Sequence, residues 1–407
     1  MILTTEQRDI LNELESEVLK FNSYRDQFIT TVGGYAGTGK TTLICELRKR
    51  LKKRTKLSVA FLTFTGKASS VLKLKLAAHK AFYHDDYIGT IHGLIYKPET
   101  IWDKTLNTYV ILGWRLRDKE EVWPDLFIID EASMVSKSIF CDLLRFEKPI
   151  IAFGDHGQLP PISDDFNLMD EPEFKLTEIH RQALNSPIIK LSKLAREDAY
   201  IPSKIYSPEV FKLPWDHKWC KKLWDEKIDF TDNIIVLCGF NTTRANLNDK
   251  IRKKLGYKKE IPYPGEKVVC LKNNHYADIM NGQIGEVIWV MPENEDLYRI
   301  TLDIDSNIYE VLIAKRCFGE VQYTMYKDKR SNLSEHKYAS EKGFNTVSFF
   351  DYGYTISVHK SQGAEWDRVI LFEQRSKHWD DEYYSRWLYT AVTRSREKLM
   401  IVENAWI

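Results

Sequence analysis

The chain has 407 residues, a formal net charge of +1 and a hydrophobic fraction of 43%. This length exceeds what one hydrophobic core usually supports, so two or more domains are expected, and the near-neutral charge argues against a protein that coats duplex DNA. No run approaches the roughly 18 apolar residues that a membrane helix needs, and the polar start predicts no signal peptide, so a soluble protein of the cytoplasm is expected.

The first predicted unit is a strand, a glycine-rich loop and a helix. Residues 27–32 are β-rich, and residues 42–51 carry apolar side chains at helical spacing. Between them, residues 34–41 read GYAGTGKT and fit the P-loop pattern, which in this setting predicts phosphate binding. We expect Lys40 to reach the terminal phosphates and the Thr41 hydroxyl to bind Mg²⁺. A glycine-rich turn with an incidental lysine is the alternative.

Two later strands end in polar residues. Residues 126–129 are apolar and lead into Asp130 and Glu131, and residues 150–153 lead into a loop that contains Gln158. Beside a P-loop, Asp130 is expected to hold Mg²⁺, directly or through water, and Glu131 to deprotonate the attacking water. We expect Gln158 to sense the γ-phosphate. Alone, each of these would be an ordinary polar loop residue.

Several short segments have distinctive amino-acid sequences and follow one another in a specific order. Residues 130–134 read DEASM, residues 158–161 read QLPP and residues 358–363 read VHKSQG. They resemble motifs II, III and V of superfamily 1B DNA helicases of the RecD and Dda type. Shorter matches add the Q motif at 4–7, motif Ia at 65–68, motif Ib at 90–92, motif IV at 176–182 and motif VI at 389–396.

This resemblance spans nearly the whole chain and implies two RecA-like motor domains that clamp ATP between them. It also implies movement along single-stranded DNA in the 5′-to-3′ direction. The implied nucleotide-binding residues are Gln7, Gly34, Gly37, Thr38, Gly39, Lys40, Thr41, Thr42, Gln362, Gly363 and Glu365.

The transferring γ-phosphoryl group needs cations from outside the P-loop. Arg181 and Arg394 match the family's arginine fingers, and surface salt bridges are the alternative for both. Glu365 is expected either to accept a hydrogen bond from a ribose hydroxyl or to orient Arg394. Gln7 suggests a preference for adenine.

The single strand is expected to contact side chains that bind phosphates without reading sequence, or that stack on bases. The resemblance places Phe64, Thr65, Lys67, Thr90, His92, Thr355 and His359 on this track. For Phe64, a buried position in a strand is an equal alternative.

The expected fold class is α/β: two RecA-like P-loop motor domains with a small β-hairpin insertion, 1B, and an SH3-like β-barrel insertion, 2B. In 1B, residues 108–112 predict a strand of a pin, and in 2B, glycine turns between short β-rich runs are typical of a small barrel. Within 2B, a mobile loop at 323–345 is favoured over a contact arm. The expected domains are 1A at 1–96 and 123–183, 1B at 97–122, 2A at 184–262 and 347–407, and 2B at 263–346.

The function expected from the motifs is that of an ATP-dependent DNA helicase that uses ATP and Mg²⁺. The alternative is a translocase subunit of a recombination or nuclease complex. The expected partners are single-stranded DNA and forked or tailed duplex DNA, with replication or recombination proteins as further candidates; no membrane partner is expected, and a monomer is expected to be functional. The six cysteines form no C-x-x-C pair, which argues against a zinc site or redox pair.

Overall fold

The computed structural model divides the chain into two compact units. Unit 1 comprises Met1–Thr100 and Ile111–Lys193, and unit 2 comprises Ile101–Val110 and Leu194–Ile407. At residues 22–24, 100–103 and 108–113 the structure describes the backbone and not the side chains. The described residues are 3–24, 27–103, 108–161, 166–178, 186–222, 224, 228–257, 261–274, 276–277, 279–323, 335, 337–344 and 346–403.

Unit 1 is built on a parallel β-sheet flanked by helices. Its strands are β1 (Ile29–Gly34), β2 (Val59–Thr63), β3 (Tyr87–Thr90), β6 (Leu126–Ile129), β7 (Ile150–Gly154) and β8 (Phe174–Leu176). Its helices are α1 (Thr5–Tyr24), α2 (Lys40–Arg54), α3 (Gly66–Ala78), α4 (Ile91–Ile95) and α5 (Lys137–Leu144). The strand order is β3-β2-β6-β7-β1-β8, and the paired neighbours run parallel.

Alternate residues of the central strands point to opposite faces of this sheet. On β6, Leu126 and Ile128 pack with α1, α2 and α3. Phe127 and Ile129 pack with α4 and α5 instead. A parallel sheet covered on both faces needs apolar residues at every strand position, which explains why β6 is an unbroken apolar run.

A β-hairpin interrupts unit 1 in sequence between α4 and β6. Its strands, β4 (Tyr96–Asp103) and β5 (Thr108–Leu116), form a sheet of two strands. The expected β-hairpin insertion is present, and its second strand is longer than the 108–112 segment predicted from the sequence.

Unit 2 contains a second sheet, again mostly parallel. Its strands are β9 (Ile205–Ser207), β10 (Val210–Pro214), β11 (Ile234–Cys238), β18 (Thr355–Ser357), β19 (Trp366–Phe372) and β20 (Ser395–Glu403). Its helices are α7 (Lys218–Lys222), α8 (Asn241–Lys254) and α9 (Asp381–Val392), and α6 (Pro187–Asp198) spans the division between the units in sequence. The order is β18-β11-β19-β20-β10-β9, with β9 antiparallel to β10.

The insertion in unit 2 forms a third, mostly antiparallel sheet with its own core. Its strands are β12 (Lys267–Cys270), β13 (Ile284–Pro292), β14 (Leu297–Ile304), β15 (Asn307–Ala314), β16 (Val347–Ser348) and β17 (Phe350–Tyr352), in the order β16-β15-β14-β13-β12-β17. Its buried cluster includes Val268, Val287 and Ile300. The expected fold class, two α/β domains with two β insertions, is confirmed. Most of the predicted loop at 323–345 lies outside the described residues.

Five of the six cysteines are buried, and Cys141 on α5 is exposed. Burial raises the pKa of Cys45 to about 11 and the pKa values of Cys238 and Cys270 to about 12. In the part of the chain that the structure describes, no helix combines the length and apolar character needed to cross a membrane.

Candidate nucleotide and nucleic-acid site

Three loops of unit 1 meet at one edge of its sheet. Strands β6, β7 and β1 are neighbours and run parallel, so the residues that follow them emerge side by side. A side chain at Gly154, which ends β7, would come within 3.1 Å of the Ser133 backbone nitrogen, so the loops after β6 and β7 are closely packed. The carboxyl edge of a parallel sheet is where α/β folds bind ligands.

The loop between β1 and α2 has the backbone that phosphate binding requires. Gly37 and Gly39 have φ angles of 82° and 85°, in the region that favours glycine. A side chain at Gly34 would come within 3.1 Å of Cγ of Lys40. Nζ of Lys40 donates hydrogen bonds to the carbonyl oxygens of Gly34 and Tyr35, at 2.6 and 3.3 Å. The lysine therefore lies over the loop to which it belongs.

Gln7 is almost fully buried and joins α1 to this loop. Its Nε2 donates a hydrogen bond of 2.9 Å to the carbonyl oxygen of Thr38, and its Oε1 accepts one of 3.1 Å from the Thr4 backbone. Both ends of the amide are thus held by the protein backbone. The adenine preference suggested from the sequence remains a prediction.

Asp130 and Glu131 lie directly after β6, where the sequence placed them. Burial raises the pKa of the Asp130 carboxyl above its usual range, and the positive charges of Lys40 and Lys75 oppose this increase. Its Oδ1 accepts a hydrogen bond of 3.0 Å from the Glu131 backbone. A half-buried carboxylate beside the P-loop lysine suits a hard cation such as Mg²⁺.

Glu131 has a left-handed backbone, with φ 56° and ψ 40°. This conformation costs a residue other than glycine about 1–2 kcal/mol and tends to occur where function requires it. The strain lies at the residue to which the sequence assigns the role of general base.

Gln158 lies in a tight turn that begins at Asp155. The Asp155 carboxylate accepts hydrogen bonds from the Gly157 backbone at 3.0 Å and from Nε2 of Gln158 at 3.4 Å. Oε1 of Gln158 is buried and accepts no hydrogen bond from any described residue. A buried amide oxygen of this kind is typical of a group that meets its partner on a ligand.

The residues present fit a nucleotide and its metal. One sheet edge carries glycines with positive φ, a lysine over the loop, a half-buried carboxylate and an amide oxygen with bonding capacity. Among the described residues, no group of three or more His, Cys, Asp or Glu side chains forms a metal cluster. A magnesium site with one carboxylate, one hydroxyl and phosphate oxygens does not require such a cluster.

The residues expected on the DNA track of unit 1 lie at the next strand ends. The hydroxyls of Thr65 and Thr90 cap α3 and α4, accepting hydrogen bonds from Ala68 at 3.2 Å and Gly93 at 3.1 Å. Phe64 is partly buried against the core, with its ring 6.2 Å from that of His92. Phe64 follows β2 and is half-buried, and its stacking on a base stays a prediction; Lys67 lies in the first turn of α3.

The two expected DNA-binding residues at motif V in unit 2, Thr355 and His359, differ in solvent exposure. His359 is partly buried, and its Nε2 shares a hydrogen bond of 2.6 Å with the Tyr383 hydroxyl, while burial lowers its pKa. Thr355 is fully buried in β18, where its backbone bonds to Asn248. Its side chain is not available to DNA in this conformation, contrary to the sequence-based expectation.

Arg394 is buried and bonded within unit 2. Its guanidinium donates to the carbonyl oxygens of Thr390 and Ala364, both at 3.0 Å, and to the Thr393 hydroxyl at 3.2 Å. The Glu365 carboxylate pairs with Arg396 at 3.1 Å, and its contact with a ribose hydroxyl or with Arg394 stays a prediction. Ala364 links Arg394 to motif V, where Gln362 is buried and Gly363 has a φ of 74°.

The sequence did not predict one further contact. The rings of Tyr35 and His156 lie 4.1 Å apart between the P-loop and the Gln158 loop. Their only signal was an aromatic residue at a variable P-loop position and a histidine in the third loop. Arg181 and its neighbours at 179–185 lie outside the described residues.

The fold and site define a P-loop protein with two α/β units. Residues 6–205 match the family model of an AAA domain, and residues 352–402 match that of a UvrD-like helicase C-terminal domain. The ATP-dependent RecD2 DNA helicase of Deinococcus radiodurans is 25% identical over 99% of this chain, which spans 49% of that relative. The ATP-dependent DNA helicase Pif1 of Campylobacter jejuni is 23% identical over 86% of this chain and 83% of that protein.

The fold is shared with a crystal structure of the Pif1 helicase from Bacteroides in complex with ADP-AlF3 and ssDNA. The TM-score is 0.53 at 21% identity, over 100% of this chain and 93% of that structure. The chain belongs to the superfamily 1B helicases of the RecD and Pif1 type, as its motifs indicated. It spans about half the length of RecD2.

Proposed function

We propose that this chain is an ATP-dependent DNA helicase that moves 5′-to-3′ on single-stranded DNA and unwinds forked or tailed duplexes. The observation that carries the proposal is the meeting of Lys40, Asp130, Glu131 and Gln158 at one sheet edge of unit 1. The direction of movement is inferred from the family resemblance. The relatives RecD2 and Pif1 are named as DNA helicases, which favours this proposal over a translocase subunit.

In this proposal, the P-loop amides and Lys40 bind the ATP phosphates, and Thr41 and Asp130 hold Mg²⁺. The bound metal supplies positive charge that stabilises the developing charge on phosphate oxygens. Glu131 accepts the proton of the attacking water, and Gln158 responds to the γ-phosphate. Arg394 and Arg181 are the proposed sources of further positive charge in the transition state, which such reactions require.

The motif residues of both units are proposed to bind the DNA backbone. In unit 1, these are Thr65, Lys67, Thr90 and His92, with Phe64 as a stacking residue. In unit 2, His359 is the proposed contact. Backbone contacts of this kind do not read sequence, so little sequence preference is expected.

The test measures ATP turnover with and without single-stranded DNA, and then unwinding of duplexes with only a 5′ or only a 3′ tail. Strand-stimulated turnover with 5′-tail unwinding is expected. Preference for a 3′ tail would overturn the polarity, and stimulated turnover without unwinding would favour the translocase subunit. Lys40→Ala is expected to abolish turnover while leaving strand binding largely intact. The control is Lys49→Ala, which removes a lysine of the same helix that pairs with Glu46 at 2.7 Å.

A further inference from the structure

The rings of Tyr35 and His156 are in tilted contact and join two loops of the proposed ATP site. The ring centroids are 4.1 Å apart and the rings are inclined by 44°. Tyr35 lies in the P-loop, and His156 lies between Asp155 and Gln158. Neither side chain belongs to the set of catalytic or nucleotide-binding residues inferred from the motifs.

At the P-loop end, the Tyr35 peptide is a centre of hydrogen bonding. Its carbonyl oxygen accepts from the Thr38 hydroxyl at 2.8 Å, from the Thr38 backbone at 3.3 Å and from Nζ of Lys40 at 3.3 Å. A lysine that turns toward a phosphate gives up its bond to this carbonyl. Tyr35 is therefore, together with Gly34, a P-loop residue whose environment changes when Lys40 moves.

At the other end, His156 lies inside a turn that is closed by several hydrogen bonds. The Gln158 backbone donates to the Asp155 carbonyl oxygen at 3.1 Å, and the Asp155 carboxylate holds Gly157 and Gln158. The imidazole also packs on Gly33, where a side chain would come within 2.8 Å of its Nδ1. A displacement of the ring is thus passed to the backbone that carries Gln158.

We propose that His156, whose ring packs against Tyr35, is a positioning residue that couples the P-loop to Gln158 during ATP hydrolysis. The inference rests on the proposed ATPase activity and goes beyond it, because it assigns a role to the ring contact itself. Close-packed aromatic rings transmit position because separating them loses their attraction. Movement of Lys40 and Tyr35 on nucleotide binding then changes the placement of the Gln158 amide.

The experiment compares His156→Ala, Tyr35→Ala and the double variant with His156→Phe and Tyr35→Phe, which keep a ring. Turnover number and KM for ATP are measured with saturating single-stranded DNA. We expect each alanine variant to lose about tenfold in turnover number with KM changed less than threefold. The double variant is expected to match the single ones, since members of a contacting pair are not additive. The phenylalanine variants are expected to stay within twofold of the unmodified protein.

Several outcomes would overturn the inference. Unchanged turnover in the alanine variants, additive losses, or phenylalanine variants as slow as the alanine ones would each do so; the last would indicate a role for the imidazole nitrogens. If an alanine variant fails to fold, the phenylalanine variants still decide between ring and nitrogens. If the unmodified protein shows no turnover, the proposed function itself is overturned. If the unmodified protein turns over ATP and the variants behave otherwise than expected, only the coupling is overturned.

A matched control is available in unit 2. Tyr257 and Tyr263 form a pair of contacting aromatic rings, with ring centroids 5.2 Å apart. Tyr257→Ala removes a stacked aromatic ring without touching the three loops, and its turnover number is expected to be unchanged. An equal loss in this control would show that the effect of His156→Ala is one of general stability.

Discussion

The side-chain amide of Gln7 donates a hydrogen bond to the carbonyl oxygen of Thr38 across 2.9 Å, and so ties the first helix to the phosphate-binding loop. In Gln7→Glu, a carboxylate would face that carbonyl oxygen. We expect KM for ATP to rise by about tenfold, because an unmet buried acceptor costs about 1–3 kcal/mol.

The same variant separates two roles of Gln7. If Gln7 positions the loop, KM for GTP rises as much as KM for ATP, whereas an adenine-reading role predicts a selective loss for ATP. Steady-state kinetics with both nucleotides decides between them. Gln27→Glu is the matched control, because the exposed Gln27 amide also donates to a backbone carbonyl, that of Lys148 at 3.1 Å.

The left-handed backbone at Glu131 is expected to lower the stability of the protein, while the Glu131 carboxylate is expected to be required for turnover. Glu131→Gln keeps the side-chain shape and removes the base, so turnover should fall by about 10²- to 10⁴-fold while ATP still binds. Glu131→Gly should be equally inactive, yet more stable by about 1 kcal/mol, because glycine tolerates the left-handed backbone. Chemical denaturation measures the difference, and a less stable glycine variant would contradict the strain.

Arg394→Ala is expected to cut turnover by about a thousandfold, the size of an arginine-finger effect, while ATP affinity stays within tenfold. Its buried hydrogen bonds add a second expectation. Removing the guanidinium takes away the donor to the buried Ala364 carbonyl oxygen, at a cost of about 1–3 kcal/mol in the free energy of unfolding.

Turnover and denaturation are measured on Arg394→Ala and on Arg396→Ala. Arg396 is half-exposed and pairs with Glu365 at the surface, so its loss should change stability little. A loss of nucleotide affinity with normal turnover in Arg394→Ala would argue against the finger role.

Lys360 directly follows His359, the proposed DNA contact of motif V, and its ammonium is expected to make strand binding sensitive to alkaline pH. Burial, and then the charge of Arg244, lower its pKa from 10.5 to about 8. The ammonium is therefore lost as the pH rises from 7 to 9, and affinity for single-stranded DNA should fall with it. The slope of the logarithm of the binding constant against the logarithm of the salt concentration should also become less steep by about 0.7, the value for one phosphate contact on a single strand.

Folding stability is expected to change with pH in the direction opposite to DNA affinity. Because the folded pKa of Lys360 lies below the unfolded one, the unfolded chain binds more protons in this window and stability rises with pH. Binding titrations on Lys360→Met test the affinity, and the pH effect should disappear. Lys267→Met is the control: its pKa is also lowered to about 8 by burial, but its ammonium bonds to the Asp232 and Ile234 carbonyls.

The features that were predicted correctly from the sequence are those that depend on a local pattern of residues. The unbroken apolar run of β6 was sufficient to place Asp130 at a strand end, and the glycine spacing of the P-loop was sufficient to place Lys40 at the start of a helix. The burial of Thr355 was not predictable in this way, since it depends on Asn248, 107 residues away in the chain. The partners of Arg394 likewise follow from how β20 and motif V pack, whereas a motif specifies residue types and not their hydrogen bonds.

The distribution of the cysteines has a practical consequence. A thiol reacts as its thiolate, so the five buried sulfurs resist alkylation at neutral pH, while Cys141 does not share their burial. A maleimide dye should therefore attach at a single position without prior removal of the other cysteines. Because α5 follows the Glu131 loop closely in sequence, that dye would report on nucleotide turnover in single molecules.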